Sequence, residues 1–293
     1  MSSLREQRIS VAISTCNRAN YLALTLGSLK RQSVPPFEIL IQNDGGVDDT
    51  PQVVRDSGLD ISLFYWENHG LAASRNHLLS LAKGDWILFL DDDDLLADDA
   101  LEVFSRELAA DPRPRILYSR YQRMDSDGKL LPTKDKFREL PQGEAVVALF
   151  SKNFLLPSGT LLPTAESRDM DALFPIGQYA EDYDFFLRLA LKIPVQGIDK
   201  RLVFRRRHRR NISSASGAKG VSNQVHTMEK FLELAGERIP AKVRADRMAD
   251  MYARLALALK REGAARDRIR AAWRSSLDNR FSVKNLLRMS LSL

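Results

Sequence analysis

Four consecutive carboxylates, Asp91-Asp92-Asp93-Asp94, follow directly on the apolar run WILFL at residues 86–90. Adjacent ionised carboxylates repel one another, and each one taken out of water costs more. A divalent cation relieves that repulsion, and aspartate oxygens are hard ligands suited to Mg2+ or Mn2+. The competing reading is an acidic turn that favours the N-terminus of the next helix. Placement after a buried strand favours the metal, because ligands of open α/β sheets bind at the carboxyl ends of the strands. A second acidic pair, Glu181-Asp182, opens a helical pattern 88 residues beyond Asp94. Asp184 lies about 200° around that helix from Asp182. Arg188 stands four residues after Asp184, the spacing of a structural ion pair.

The elements that must position these groups follow from periodicity. Residues 9–13, 38–42, 61–66 and 86–90 read as strands. Between them lie helical patterns: Leu22, Leu26 and Leu29, then a helix from Thr50-Pro51 with Thr50 as cap, then residues 71–83 stopped by Gly84. Strands alternating with helices predict a largely parallel α/β sheet. Further on, the pattern predicts a helix over 101–108, strands at 116–123 and 201–205, a loop or hairpin at 128–141, helices at 143–151 and 182–191, and a Ser-, Gly- and Ala-rich mobile loop over 211–222. From residue 225 onward the chain reads as helices. The division expected is residues 1–222 for the α/β domain and 223–293 for a helical extension.

Polar clusters stand at equivalent strand ends: Ser14-Thr15-Cys16-Asn17-Arg18 after the first, Asn43-Asp44-Gly45-Gly46-Val47-Asp48-Asp49-Thr50 after the second, and Glu67-Asn68-His69-Gly70 with Arg75-Asn76 after the third. Singly these are ordinary turn residues. Jointly they line one sheet edge, and a cleft of Thr, Asn, Asp and Arg around a metal fits a nucleotide diphosphate. TCNR, NDGGVDDT, ENHGLAASRN, FLDDDD and AEDYDFFLRLA, in that order, resemble the family-2 glycosyltransferases with the GT-A fold. The resemblance covers residues 8–210.

The resemblance implies a GT-A fold: a Rossmann-like, mixed but mostly parallel sheet flanked by helices, here with a C-terminal helical extension. It implies an inverting, Mn2+- or Mg2+-assisted transfer of a sugar from a nucleotide-diphosphate donor, such as a UDP-sugar, to a saccharide or lipid-linked saccharide in bacterial polysaccharide or glycolipid synthesis. Carried over by motif, Thr15 and Asn17 border the base or ribose, Asp44 holds the base, and Arg75 lies near base and pyrophosphate. Asp91 approaches the ribose, Asp92 fills the variable position of the D-x-D element beside the nucleotide, and Asp93 binds the metal. Asp94 orients a metal-bound water, and His208 reaches the metal or diphosphate. Asp182 is the matching position for the base that takes the acceptor's proton. Asp44-Gly45-Gly46 departs from the commoner D-G-S form. Ser158-Gly159-Thr160 is expected to wall the acceptor and Tyr179 to stack on it. His69, His77, His226, Cys16, Trp66, Trp86 and Trp273 are read as packing or surface groups.

Composition sets the remaining bounds. The 293 residues are 44% apolar and 28% charged, ordinary values for a globular chain. One cysteine excludes an intramolecular disulfide framework. Neither a signal peptide nor an 18-residue apolar span is visible, so a cytoplasmic protein is expected, with the inner membrane face as a docking place. Residues 200–293 carry a net charge of +15 and the remainder −9. The basic part, with Arg205, Arg206, Arg207, Arg209 and Arg210, suits diphosphate or peripheral contact with anionic lipid; a homodimer is the other use of the helical tail, and no nucleic acid partner is expected. A sugar nucleotidyltransferase is the enzymatic alternative, disfavoured because STCNRANY has no glycine. An aspartyl phosphatase is disfavoured by Leu95 and the mid-chain motif. A non-enzymatic membrane or nucleic-acid adaptor using the basic half is the third class.

Overall fold

The computed structural model describes residues 7–170, 174–175, 180–208, 217–280 and 283–292. The chain forms two compact units, one of residues 1–145, 154–177 and 192–208, the other of 146–153, 178–191 and 209–293. In the first unit, β1 (Ile9–Thr15), α1 (Ala19–Lys30), β2 (Glu38–Asp44), α2 (Thr50–Ser57), β3 (Ile61–Trp66), α3 (Leu71–Leu81) and β4 (Trp86–Phe89) alternate as the periodicity predicts. There follow β5 (Leu95–Leu96), α4 (Ala100–Ala110), β6 (Ile116–Met124), β7 (Leu130–Leu131), β8 (Thr160–Pro163), α6 (Thr164–Arg168) and β9 (Val195–Arg206). The second unit holds α5 (Val146–Ser151), α7 (Glu181–Leu189), α8 (Gly217–Ala235), α9 (Ala241–Arg261), α10 (Arg266–Asn279) and α11 (Val283–Ser292).

Among the described residues one sheet runs β3-β2-β1-β4-β8-β6-β9-β5, with β7 paired to β6. β3, β2, β1 and β4 are mutually parallel, β8 is antiparallel to both neighbours, and β6 and β9 are parallel. β1 is buried along almost its whole length because helices of a parallel sheet cover both faces. Leu22, Leu26 and Leu29 of α1, with Phe104 and Leu108 of α4, fill one continuous core against Val11, Ile13, Ile41 and Leu88.

Several boundaries differ from the periodicity, each for a physical reason. Thr50 is the first helical residue of α2, and Asp48 does the capping: its Oδ1 accepts from the Thr50 amide at 3.2 Å and hydroxyl at 2.7 Å. Its Oδ2 accepts from Ala19 N at 2.7 Å, so the same carboxylate caps α1. These donors outweigh burial and hold Asp48 below the usual carboxylate range. β9 is longer than the expected 201–205 because residues 195–198 already pair with 116–119 of β6, after which the register shifts between Ser119 and Tyr121. That shift leaves Asp199 and Lys200 outside the ladder, where they pair with Arg120 and Asp99. The loop expected over 211–222 is already helix from Gly217 on, and 211–216 lie outside the described residues. The expected division after residue 222 therefore falls inside α8.

The second unit has its own core, in which Ala218, Ala253, Ala256, Leu259, Ile269 and the fully buried Trp273 pack together. The Ser276 hydroxyl donates to Ala249 O at 2.8 Å and pins α10 to α9. No helix among the described residues is long and apolar enough to cross a membrane.

Gly84 shows how closely the first unit is packed. Its amide donates to Ser10 Oγ at 2.9 Å, and a Cβ there would lie 2.5 Å from that oxygen and 2.6 Å from Arg8 O. Gly27, on α1, has only ordinary contact at 3.7 Å. Gly84→Ala is expected to cost about 1–3 kcal/mol through overpacking. Gly27→Ala is expected to be neutral or stabilising by up to about 1 kcal/mol. Urea unfolding of the two variants checks the contrast, and equal effects refute it.

Candidate active site

The carboxyl ends of β1, β2, β3 and β4 share one sheet edge, and their loops are tied to one another. Thr15, at the end of β1, is buried. Asn17 has a left-handed backbone (φ 54°), and its Oδ1 accepts from Val47 N at 2.9 Å, joining the β1–α1 loop to the β2–α2 loop. Gly46 explains the missing serine of the motif. A Cβ there would stand 2.6 Å from Asn43 Oδ1 and 2.9 Å from Asn17 N, so the tie leaves no room for a side chain.

Asp44 is a hub. Its Oδ1 accepts from Trp66 Nε1 at 2.7 Å and His69 N at 2.9 Å, and its Oδ2 accepts from Gly70 N at 2.9 Å. The carboxylate therefore fixes the β3–α3 loop and keeps acceptor capacity on Oδ2. Trp66, read as a packing residue, is half-buried and orients Asp44. Its ring lies against His69 and His77, whose Nδ1 sits 2.7 Å from Gln42 Oε1. His77 is half-buried there, whereas His69 and His226 are exposed. Trp86 and Trp273 are buried.

The four aspartates are held in four different ways. Asp91, the most exposed, accepts from Arg75 at 3.0 Å. Arg75 is itself buried, with its guanidinium 5.7 Å from the Phe174 ring centroid; Asn76 clamps the backbone of Phe174 through two 2.9 Å hydrogen bonds. Asp92 is buried and accepts from Arg18 at 3.0 Å. Asp93 Oδ2 lies 2.8 Å from His208 Nε2 and 3.3 Å from the same Arg18 nitrogen. His208 stacks on Tyr21 at 4.8 Å between centroids. Asp94 is 1% exposed; its Oδ1 accepts from Arg206 N at 2.9 Å and its Oδ2 from the Ser158 hydroxyl at 2.7 Å.

Burial makes Asp92, Asp93 and Asp94 reluctant to ionise. It pushes Asp92 up to about 7, against the pull of Arg18. Burial, then the neighbouring Asp91, raises Asp93, with His208 and Arg18 opposing. Asp94 is raised well above the usual range by burial and by Asp91 and Asp93. Oxygens of Asp91, Asp93 and Asp94 lie within 4.8 Å of one another, a hard donor set of the kind that suits Mg2+ or Mn2+. Within it Asp94 accepts one protein hydrogen bond on each oxygen and so braces the end of β9. Ser158 departs from its expected place in an acceptor wall: it is fully buried, and its Oγ accepts from Asp91 N at 3.2 Å while donating to Asp94.

The structure thus brings together Asp91, Asp92, Asp93, His208 and Arg75, with Thr15, Asn17 and Asp44 on the same sheet edge. Arg18, quoted within TCNR but given no role, joins them by bridging two aspartates. Thr25 was missed as well: its hydroxyl lies 2.9 Å from Asp92 O and 2.8 Å from Asp94 O, fixing the turn. Neither had a local signal, because the partners are more than 60 residues away. Asp182 stands in the first turn of α7 in the second unit, its Oδ1 accepting from Tyr183 N at 2.7 Å. The Asp184–Arg188 ion pair forms on the same helix at 2.8 Å. Tyr179, Arg209 and Arg210 lie outside the described residues.

The model of the family described as glycosyl transferase family 2 matches residues 10–160. Chondroitin synthase of Pasteurella multocida is 28% identical over 185 residues, 62% of this chain and 19% of that protein. Uncharacterized glycosyltransferase RC0461 of Rickettsia conorii is 30% identical over 211 residues, 68% of this chain and 33% of that protein. The chain spans about a fifth to a third of the length of these curated relatives. Among solved structures, residues 1–349 of S. aureus TarS in complex with UDP-GlcNAc superpose with a TM-score of 0.64 at 20% identity, over 97% of this chain and 92% of that one. The mannosyltransferase PcManGT of Pyrobaculum calidifontis, in complex with GDP-Man and Mn2+, gives 0.63 at 17% identity over 99% and 80%. At such identities the likeness establishes the GT-A fold alone.

The Ser158 brace is testable apart from any activity. Ser158→Ala leaves buried Asp94 with one donor fewer, so unfolding free energy is expected to fall by about 1–3 kcal/mol. Thermal and urea unfolding measure it; an unchanged midpoint refutes the brace.

Proposed function

Since the chain belongs to glycosyl transferase family 2, we propose that it moves a sugar from a nucleotide-diphosphate donor, a UDP-sugar, to a hydroxyl of a saccharide or lipid-linked saccharide, with inversion. The observation that carries this reading is the alternation of charge at one sheet edge. Arg75 faces Asp91, and Arg18 faces Asp92 and Asp93. Cations and carboxylates so interleaved match what a diphosphate and a divalent cation present together.

In this reading Thr15 and Asn17 border the nucleoside. Asp44 accepts a base N–H on the oxygen that has capacity left, and Arg75 and Arg18 face the pyrophosphate. Asp91 is the ribose-side carboxylate, and Asp92 stays beside Arg18 and sets its position. Asp93 and His208 are the groups that would hold Mn2+ or Mg2+. Such an ion, when bound, supplies Lewis-acid stabilisation to the departing diphosphate. Asp182 takes the acceptor's hydroxyl proton onto a carboxylate oxygen as that hydroxyl attacks the anomeric carbon, so no covalent enzyme intermediate is needed. The catalytic residues are assigned to the part up to residue 222. The helices from 223 on, in the basic region, are assigned to docking at the acceptor or at an anionic membrane face.

Two variants separate the roles. Asp93→Ala is expected to weaken UDP binding in Mn2+ at least about tenfold, since a charged ligand atom is lost. Calorimetry with and without Mn2+ reads this; metal-independent, unchanged binding in both proteins removes Asp93 from the site. Asp182→Asn keeps size and hydrogen bonding but removes the proton acceptor. Transfer is expected to fall about 10²–10⁴-fold with UDP affinity nearly unchanged, while Glu181→Gln loses less. Near-parental transfer by Asp182→Asn would falsify the mechanism, and a parallel loss of UDP affinity would move Asp182 to donor binding or structure.

A further inference from the structure

Three arginines meet on one face of the β6–β9 pair. Arg123 and Arg205 are register partners, so their side chains leave neighbouring strands on the same side. Arg207 stands two positions beyond Arg205, again on that side, and its amide continues the ladder by donating to Met124 O at 2.9 Å. All three are half-buried. Like charges at paired positions across a strand boundary repel. Arg207 feels this: burial, then Arg205 and Arg123, lower its guanidinium from its ordinary value.

The neighbouring arginines are neutralised. Arg120 pairs with Asp199 and Asp135, and Arg201 with Asp135 at 2.9 Å. Arg206, on the opposite face, is buried and donates to Asp93 O at 3.0 Å and Ser126 O at 2.9 Å. Among the described residues no carboxylate forms an ion pair with Arg123, Arg205 or Arg207. Three half-buried arginines that pair with no carboxylate among the described residues suit a tetrahedral or planar anion, which guanidinium binds bidentately.

The place narrows the source of that anion. Arg207 is followed directly by His208, which contacts Asp93, so the trio lies at the end of the strand that reaches the carboxylate cluster. Yet it projects from the other face than Arg206. The diphosphate already has Arg18 and Arg75 at the cluster. We propose that Arg123, Arg205 and Arg207 form an anion site for the acceptor, receiving a phosphate, sulfate or carboxylate group of an acidic saccharide. The substrate assignment rests on the glycosyltransferase reading above; the anion site itself does not.

The test uses the full chain and inorganic sulfate as probe, titrated against chloride at constant ionic strength and followed by calorimetry. Sulfate is expected to bind the parent protein, and Arg205→Gln and Arg207→Gln are each expected to weaken it about tenfold, the double variant more. UDP affinity in Mn2+ is measured on the same variants, which also shows that they are folded. Sulfate binding that survives the double substitution overturns the site. A parallel loss of UDP affinity overturns it too, by assigning the arginines to the donor. A second arm compares binding of dextran sulfate, neutral dextran and vesicles containing anionic lipid. Loss of dextran sulfate binding in the variants, with vesicle binding kept, supports the proposal. Loss confined to vesicles overturns it in favour of a membrane contact. If the anion arms succeed while no nucleotide sugar is turned over by the parent protein, the donor reading fails and the anion site stands.

Discussion

Placing four consecutive aspartates, three of them buried, at the end of a central strand obliges the neighbouring elements to supply donors, and the site follows from how they do so. Each carboxylate taken out of water without a partner would cost several kcal/mol or protonate. The chain answers with a guanidinium from the β1–α1 loop, another from α3, a hydroxyl from the turn before β8, and an amide and an imidazole from the end of β9. These groups come from across the first unit, so the turn at residues 91–94 fixes their positions as much as they fix it. Their partners then distinguish the four. Asp94, fully enclosed, accepts from Arg206 N and the Ser158 hydroxyl, Asp91 is held by Arg75, and Asp92 and Asp93 share Arg18.

The same economy governs the loops. Asp44 and Asp48 each use one carboxylate to tie segments distant in sequence: Asp44 fixes the β3–α3 loop, and Asp48 caps both α1 and α2. Loops crossed in this way lose little further entropy when they receive a ligand, which is how preorganisation strengthens binding. Gly46 belongs to that logic. Its bareness is demanded by the close approach of Asn17 and Asn43, so the departure from the commoner motif is a packing solution that leaves Asp44 in place.

The sequence made legible whatever depends on local order. The alternation of β1 to β4 with helices was readable because buried parallel strands are short, apolar runs bounded by turn residues, and the acidic run after WILFL stood out for its charge. Arg18, Thr25 and Trp66 were not legible as site residues, and Ser158 was legible only as part of an acceptor wall, because each gains its role from a partner on another element. β8 was hidden by Pro157 and Pro163 in LLPSGTLLP, although a buried antiparallel strand runs over Thr160–Pro163. The start of α8 was hidden by its composition. Ser, Gly and Ala suggested a loop, but Ala218 is buried in the second core and Glu262, 44 residues on, accepts from its amide at 2.6 Å. A tertiary cap overrode a weak local propensity.

Parity along β9 sorts the charges that composition could only count. In a strand, successive side chains point to opposite faces, so a run of adjacent arginines cannot act as one cluster. Arg206 turns inward, where carbonyl oxygens of Asp93, Asp125 and Ser126 satisfy it and its guanidinium lies 5.3 Å from the Tyr21 ring. Arg205 and Arg207 turn the other way and meet Arg123 from β6. The inward arginine offsets the local negative charge and can be buried. The outward trio adds like charge to like and retains enough exposure for hydration to bear the repulsion. One basic segment thereby performs two electrostatic tasks a single residue apart. The strand that joins them also carries His208 to Asp93, so an anion drawing the outward trio together would act on the same backbone that positions the imidazole beside the Asp93 carboxylate.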